Sequence, residues 1–161
     1  MTLQRVDTGA VDDLRTFLVG ADLTVAGLDR AGHDRAGLEP TVRLWVDRAE
    51  DGRVVGSTGY ETSADGVHVL VRSVAVAPQL RGLGHGTRLA RFAVDHAAAT
   101  GARRAWLFSR RSGPFWQSLG FALADRDDLA AALAATHQVR SFRRTGQLAR
   151  EVAWSLDLTA V

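Results

Sequence analysis

Val74-Ala75-Val76-Ala77-Pro78-Gln79-Leu80-Arg81-Gly82-Leu83-Gly84-His85-Gly86-Thr87 joins an apolar segment to a long amphipathic one through a glycine-rich turn. Glycine lets successive backbone N–H groups approach an anion closely. A helix start adds unpaired donors and the positive end of its dipole. Together they make a cradle for a pyrophosphate. Two nucleotide signatures do not fit. A P-loop needs lysine followed by Ser or Thr, and the chain has no lysine. The dinucleotide fingerprint needs glycine three residues after its second glycine, but Thr87 and Leu89 follow Gly84 and Gly86 at that spacing. The competing reading is a helix entry made flexible by glycine.

Working outward, Val67 to Val76 is a nearly continuous apolar run, as expected of a central strand, and Pro78 ends it. Leu83 to about Thr100 keeps a helical period, and Gly101 closes that helix. Ala105 to Phe108 is a short buried strand. Upstream, Leu3 to Val6 is a first strand, followed by a helix from about Gly9 to Val19 capped by Asp7 or Thr8. Gly20 to Pro40 holds a short helix near Leu23 to Leu28 and then a loop. Thr41 to Arg48 and Arg53 to Glu61 alternate as strands around the Glu50-Asp51-Gly52 turn. Downstream, Ser112-Gly113-Pro114 opens a short helix that Gly120 ends, and Phe121 to Ala124 is a strand. Asp127 to about His137 is a helix, Arg140 to Gly146 a loop, and Glu151 to Leu158 a final strand. The strand-helix-strand crossover over 67–108 is right-handed and parallel. The expected class is α/β with a mixed, mostly antiparallel sheet flanked by helices.

Composition bounds the function. The 161 residues fit one domain spanning 1–161, which buries roughly 70% of its unfolded surface. Hydrophobic residues are 46% and charged residues 24%, which excludes wholesale disorder. With no cysteine, disulfides, thiolate metal sites and cysteine nucleophiles are excluded. No apolar run approaches the ~20 residues of a membrane span, and the N-terminus has no secretory core. A soluble, cytoplasmic, bacterial-type protein is expected, with no membrane partner. All 20 basic residues are arginine, which explains a pI near 10.3 at a net charge of only +2. The arginines form no aromatic-interleaved stripe, so no nucleic-acid partner is expected.

The Arg-x-x-Gly-x-Gly pattern after a strand ending in Val-x-Pro resembles the coenzyme A loop of the GNAT superfamily of N-acetyltransferases. Phe115-Trp116-Gln117-Ser118-Leu119-Gly120-Phe121 is similar to that superfamily's late motif, an aromatic pair followed by Leu-Gly-Phe. The resemblance covers nearly the whole chain and is densest from Arg53 to Phe121. It implies a splayed sheet and acetyl-CoA as co-substrate, with no metal. Backbone N–H groups around Arg81, Gly82, Leu83, Gly84, His85, Gly86 and Thr87 would hold the pyrophosphate. The strand residues Val74, Ala75 and Val76 would meet the pantetheine arm as an added strand does. The arm would enter between the strand at 70–77 and the strand at 104–109. Arg88, Arg91 or Arg111 would meet the adenosine phosphates, or be solvated charges.

Amine attack on a thioester needs a neutral amine, a donor for the developing oxyanion and a proton acceptor. The resemblance places an acidic tyrosine four residues before Gly120, where this chain has Trp116, assigned here to the coenzyme site. The only tyrosine is Tyr60. Either the thiolate leaves unaided, or Ser109, Ser112 or water protonates it. A coenzyme A thiol with a pKa of about 8–9 needs little help. Glu61 and Arg72 are the charged candidates, brought together by adjacent antiparallel strands. As a functional pair, Arg72 and Ser73 hold a substrate carboxylate or the oxyanion, and Glu61 receives the amine or its proton. The alternative is a structural ion pair. His85 is expected to be exposed beside phosphate, and His137 to end a helix.

A narrower likeness joins Gly59-Tyr60-Glu61, Val71-Arg72-Ser73-Val74-Ala75-Val76 and the tail from Asp128 to Phe142 to the arsenic-resistance N-acetyltransferase-like branch. That branch implies small, amino-acid-like substrates. The branch's tail cysteines are replaced by Arg143-Arg144-Thr145-Gly146, and its threonine-rich stretch by Ser109-Arg110-Arg111-Ser112. The expected partners are acetyl-CoA and a small-molecule amine. A protein or peptide N-acetyltransferase and a non-catalytic acyl-CoA-binding sensor are the alternatives. A homodimer is the default assembly, and an exposed tryptophan among Trp45, Trp106, Trp116 and Trp154 would mark its interface.

Overall fold

The computed structural model describes residues 2–7, 9–28 and 41–159. Eight strands form one sheet. They are β1 (Leu3–Arg5), β2 (Val42–Arg48), β3 (Val54–Thr62), β4 (His68–Val71), β5 (Ala75–Val76), β6 (Arg104–Phe108), β7 (Ala122–Ala124) and β8 (Ala153–Asp157). The order is β1-β2-β3-β4-β6-β8-β7, with β5 pairing β3 off this path. Every pairing is antiparallel except β4 with β6. That parallel step needs a crossover, supplied by the helix His85–Ala99. The mixed, mostly antiparallel sheet is the one expected.

The helices are α1 (Val11–Gly20), α2 (His85–Ala99), α3 (Gly113–Ser118), α4 (Arg126–Ala132) and α5 (His137–Thr145). The sheet is covered on both faces. Leu44 and Val46 of β2 pack with Leu14 and Leu18 of α1. Leu70 and Trp106 pack on that same face with Leu129 of α4 and Val139 of α5. On the opposite face Trp45, Val69, Val71 and Leu107 meet Ala90, Ala93 and Ala97 of α2 and Trp116 of α3. The small alanines let α2 lie close to the sheet. All four tryptophans are buried, so none marks an interface. Among the described residues, no helix is long and apolar enough to cross a membrane.

Several local expectations are corrected. The apolar run Val67–Val76 is not one strand. It divides into β4 and β5 around Arg72, Ser73 and Val74, which oppose only Thr58 and Gly59 of β3. One extra residue makes this a β-bulge, and Ser73 takes φ 61° within it. The region Leu23–Leu28 forms turns and no helix. The remainder of the expected loop, 29–40, lies outside the described residues. The helix expected over 127–137 ends at Ala132. The loop expected over 140–146 belongs to α5, which runs from its Thr136 cap to Gly146 at φ 79°. His137 therefore opens a helix instead of ending one. Helix α1 has Ala10 at its N-cap and no side-chain cap, while Asp7 Oδ1 accepts from the Gly9 N–H at 3.0 Å.

Gly59 on β3 stands opposite Leu44 of β2. A Cβ there would run into the Arg43 carbonyl oxygen and Leu44 Cδ2. Gly59→Ala is expected to cost about 3 kcal/mol in chemical denaturation.

On the α2 face, the Arg43 guanidinium donates to the Tyr60 hydroxyl at 3.4 Å. The Tyr60 hydroxyl meets His96 Nδ1 at 2.7 Å. A guanidinium only donates, so the tyrosine O–H is left to donate to a neutral His96. Burial, then the Arg43 and Arg5 charges, hold His96 below its ordinary value of 6.5. The unfolded chain therefore binds the proton more readily, and stability rises with pH through that window. Melting temperature should fall as pH drops from about 7.5 through 6.5 and lower, and His96→Gln should flatten that part of the profile.

Candidate active site

Strands β4 and β6 pair from His68 and Arg104 to Leu70 and Trp106 and no further. Beyond that point the bulge turns β4 toward β5, while Leu107 and Phe108 stay with β8. A cleft of about 450 Å³ opens between the separated ends. Val71 to Val74 form one wall and Leu107 to Ser112 the other. Arg81 of the glycine-rich loop and Trp116 of α3 also line it. On the other side Ala21 to Thr24, Gln138, Gln147 and Glu151 complete it.

The bulge is fixed by a buried ion pair. Arg72 and Glu61 are 3% and 1% exposed, and Arg72 Nη1 donates to Glu61 Oε2 at 3.0 Å. Arg72 also donates to the Ala26 carbonyl at 2.6 Å, the Thr24 carbonyl at 3.3 Å and Ser73 Oγ at 3.1 Å. Glu61 accepts the α5 N–H groups of His137 at 2.6 Å and Gln138 at 3.1 Å. Its negative charge thus sits at the positive end of α5. Burial pulls the Arg72 guanidinium below its ordinary value, and the Glu61 charge and hydrogen bond oppose that pull. Gly27, at φ 82°, lets the 24–27 turn lie against α5, since a Cβ there would strike the His137 ring.

The sequence-derived residues divide into three groups. Arg72, Ser73 and Val74 line the cleft with Arg81 and Trp116, whereas Glu61 lies behind Arg72 and does not line it. Ala75 and Val76 form β5, whose pairing is with β3 alone. Gly82, Leu83, Gly84, His85, Gly86 and Thr87 form the turn into α2, with Gly82 and Gly84 at φ 81° and 84°. Gly84 is the N-cap and supplies no side-chain bond to the first N–H groups. A Cβ at Gly82 or Gly84 would meet nothing within 4 Å, so the loop faces open space. His85 is half-buried, and its Nδ1 is buried without a partner. Trp116 packs edge-on against Phe115 and Phe121. Tyr60 is held at His96 on the α2 face and does not line the cleft.

Gln138 and Glu151 also line the cleft, and sequence reasoning missed both. Each is 7% exposed. Glu151 pairs with Arg110 Nε at 3.2 Å and accepts from Gln147 Nε2 at 3.1 Å. Gln138 Oε1 has no partner among the described residues. Their sequence signal was slight: a glutamine in a polar stretch and a glutamate at the start of the expected last strand, which in the structure begins at Ala153.

Residues 15–121 match the family model described as the acetyltransferase (GNAT) family. No curated protein matches the sequence. Solved structures share the fold at low identity. Against N-acetylglutamate synthase from Neisseria gonorrhoeae, complexed with coenzyme A and N-acetyl-glutamate, identity is 18% and TM-score 0.66, covering 98% of this chain and 35% of that one. The chain thus spans about a third of that synthase's length. A Mycobacterium tuberculosis protein in complex with CoA is 16% identical at TM-score 0.67, covering 98% of this chain and 99% of that one. A GNAT acetyltransferase from Staphylococcus aureus is 11% identical at TM-score 0.68, covering 98% and 99%.

Glu61→Ala would leave Arg72 charged and buried and remove the acceptor for two helix N–H groups. It is expected to cost about 3–5 kcal/mol in chemical denaturation, with Glu61→Gln recovering only part of that loss.

Proposed function

The chain belongs to the acetyltransferase (GNAT) family, and from that premise we propose that it transfers the acetyl group of acetyl-CoA to the amine of a small molecule, amino-acid-like or antibiotic-like. One observation carries the reading: a cleft at a split in the sheet reaches Arg81, and the glycine-rich turn that follows Arg81 leads into a helix with no side-chain cap. The first N–H groups of α2 have no intrahelical partner, and a pyrophosphate supplies the acceptors they need. The N–H groups from Gly82 to Thr87 form that cradle, since the Arg81 N–H already donates to the Pro78 carbonyl at 3.3 Å. The pantetheine arm lies along Val74, Ala75 and Val76, taking the edge of β5 that none of the described strands covers. Arg81 Nε now donates to the Val76 carbonyl at 3.2 Å and shares that oxygen with the arm or yields it.

The acceptor nitrogen attacks the thioester carbonyl carbon. A C–N bond forms, the C–S bond breaks, and the sulfur leaves with the electron pair while the nitrogen gives its proton to water. Ser73, held in a left-handed conformation at the bulge, is placed to steady the oxyanion with Arg72 close by. Glu61 acts as a positioning residue, since its carboxylate is already committed to Arg72 and to α5. Trp116 supplies no acid, so the thiolate departs unaided or takes a proton from Ser109, Ser112 or water. The likeness to the arsenic-resistance branch favours an amino-acid-like acceptor. The walls at 21–24 and α5 favour a short acceptor over a protein segment. Trp116 in the place of the acid favours a second reading, a non-catalytic acyl-CoA sensor.

Thiol release from acetyl-CoA across a panel of amines, followed with a thiol-reactive dye, separates the two. The chain has no cysteine to add background. Amine-dependent release supports transfer. Saturable acetyl-CoA binding with no release from any amine supports the sensor. Gly84→Val should raise the KM for acetyl-CoA at least about tenfold, because a branched side chain resists the left-handed backbone and fills the cradle.

A further inference from the structure

The cleft wall holds an ion pair with unequal halves. Glu151 is buried, its side chain 6% exposed, whereas the Arg110 side chain is 44% exposed. Arg110 lies on the loop after β6 and Glu151 just before β8, and both line the cleft. Gln138, on the first turn of α5, lines it too. Its buried Oε1 lacks a donor among the described residues. A buried amide oxygen of this kind calls for a hydrogen-bond donor from water or ligand.

An ammonium group answers two of these features at once. It has three N–H donors and no acceptor. It has donors enough for both the Glu151 carboxylate and Gln138 Oε1, which line the same cleft. To do so it must compete with Arg110 for Glu151. A plain monocationic amine would displace Arg110 and give that guanidinium nothing in return. A zwitterion brings the replacement with it, because its carboxylate matches the fork of a guanidinium. The Arg110–Glu151 pair thus occupies the place of a ligand carrying both charges.

Resting on the acetyltransferase reading above, we propose that the acceptor is an α-amino acid bound by partner exchange: its ammonium goes to Glu151 and Gln138 Oε1, and its carboxylate to Arg110. The exposed half of the pair is the mobile half. Glu151 stays in place, held also by Gln147. An amine of the same side chain that lacks the carboxylate is discriminated against, because Arg110 is then left without a partner.

The test compares the twenty L-amino acids with their carboxamides, which keep the amine and side chain and lack the carboxylate charge. Thiol release gives kcat and KM, and calorimetry on the protein saturated with coenzyme A gives binding independently of turnover. For the best side chain, the acid should exceed its carboxamide at least about tenfold in kcat/KM. Arg110→Ala should reduce that ratio at least about tenfold, mainly through KM, and Arg110→Lys should recover part of it. Gln138→Leu should raise the KM of acid and carboxamide alike. Melting curves of the variants guard against loss of fold. Equal use of acid and carboxamide, or an Arg110→Ala effect of the same size on both, overturns the proposal. Calorimetric binding of an amino acid that needs Arg110, without thiol release, keeps the recognition and removes the transferase reading. Release with carboxamides and other amines but not with amino acids does the reverse. The absence of both binding and release with every amino acid also overturns the proposal.

Discussion

The Glu61–Arg72 ion pair is the contact on which the rest of the site depends. Removing two charges from water is costly, and a buried pair repays that cost only with good geometry and further hydrogen bonds. Here every partner comes from a different part of the chain. Glu61 belongs to β3, Arg72 to the bulge after β4, the Thr24 and Ala26 carbonyls to the turn after α1, and the His137 and Gln138 N–H groups to α5. One cluster therefore sets the path of β4, the start of α5 and the position of the turn that walls the cleft.

The bulge is the structural consequence with functional weight. A regular β4 would continue beside β6 and close the sheet. The extra residue turns the chain so that β5 keeps β3 as its partner while β6 keeps β8. The sheet opens on one side of Leu70 and Trp106 and remains hydrogen-bonded on the other. The opening meets the helix start at Gly84 through the short segment from Pro78 to Arg81. On the function proposed above, the split takes the extended arm of an acyl-CoA and the turn takes its pyrophosphate.

Much of this was legible in the sequence because it is written locally. Gly82, Gly84 and Gly86 before a 3.6-period run marked the turn into α2, and Leu-Gly-Phe at 119–121 marked the end of α3. Arg72 in an apolar run pointed to a partner, and antiparallel pairing of neighbouring strands named Glu61. What was not legible depends on distant contacts. The bulge at Ser73 is invisible in a run of apolar residues, since it is set by pairing with β3. Helix α5 carried local signals, Thr136 before it and Gly146 after it, but its three arginines and few apolar residues read as a loop. Its first N–H groups are satisfied by Glu61, far upstream. Gln138 and Glu151 gained meaning only when α5 and the chain before β8 closed on the same cleft.

The most direct measurement is a crystal structure of the protein grown with coenzyme A. The expected result is the pantetheine arm lying between the Val74–Val76 edge and the Leu107–Ser109 edge, with the pyrophosphate on the N–H groups of the turn from Gly82 to Thr87. Coenzyme A bound elsewhere, or β4 and β6 closed together past Leu70 and Trp106 with the turn unoccupied, would contradict it.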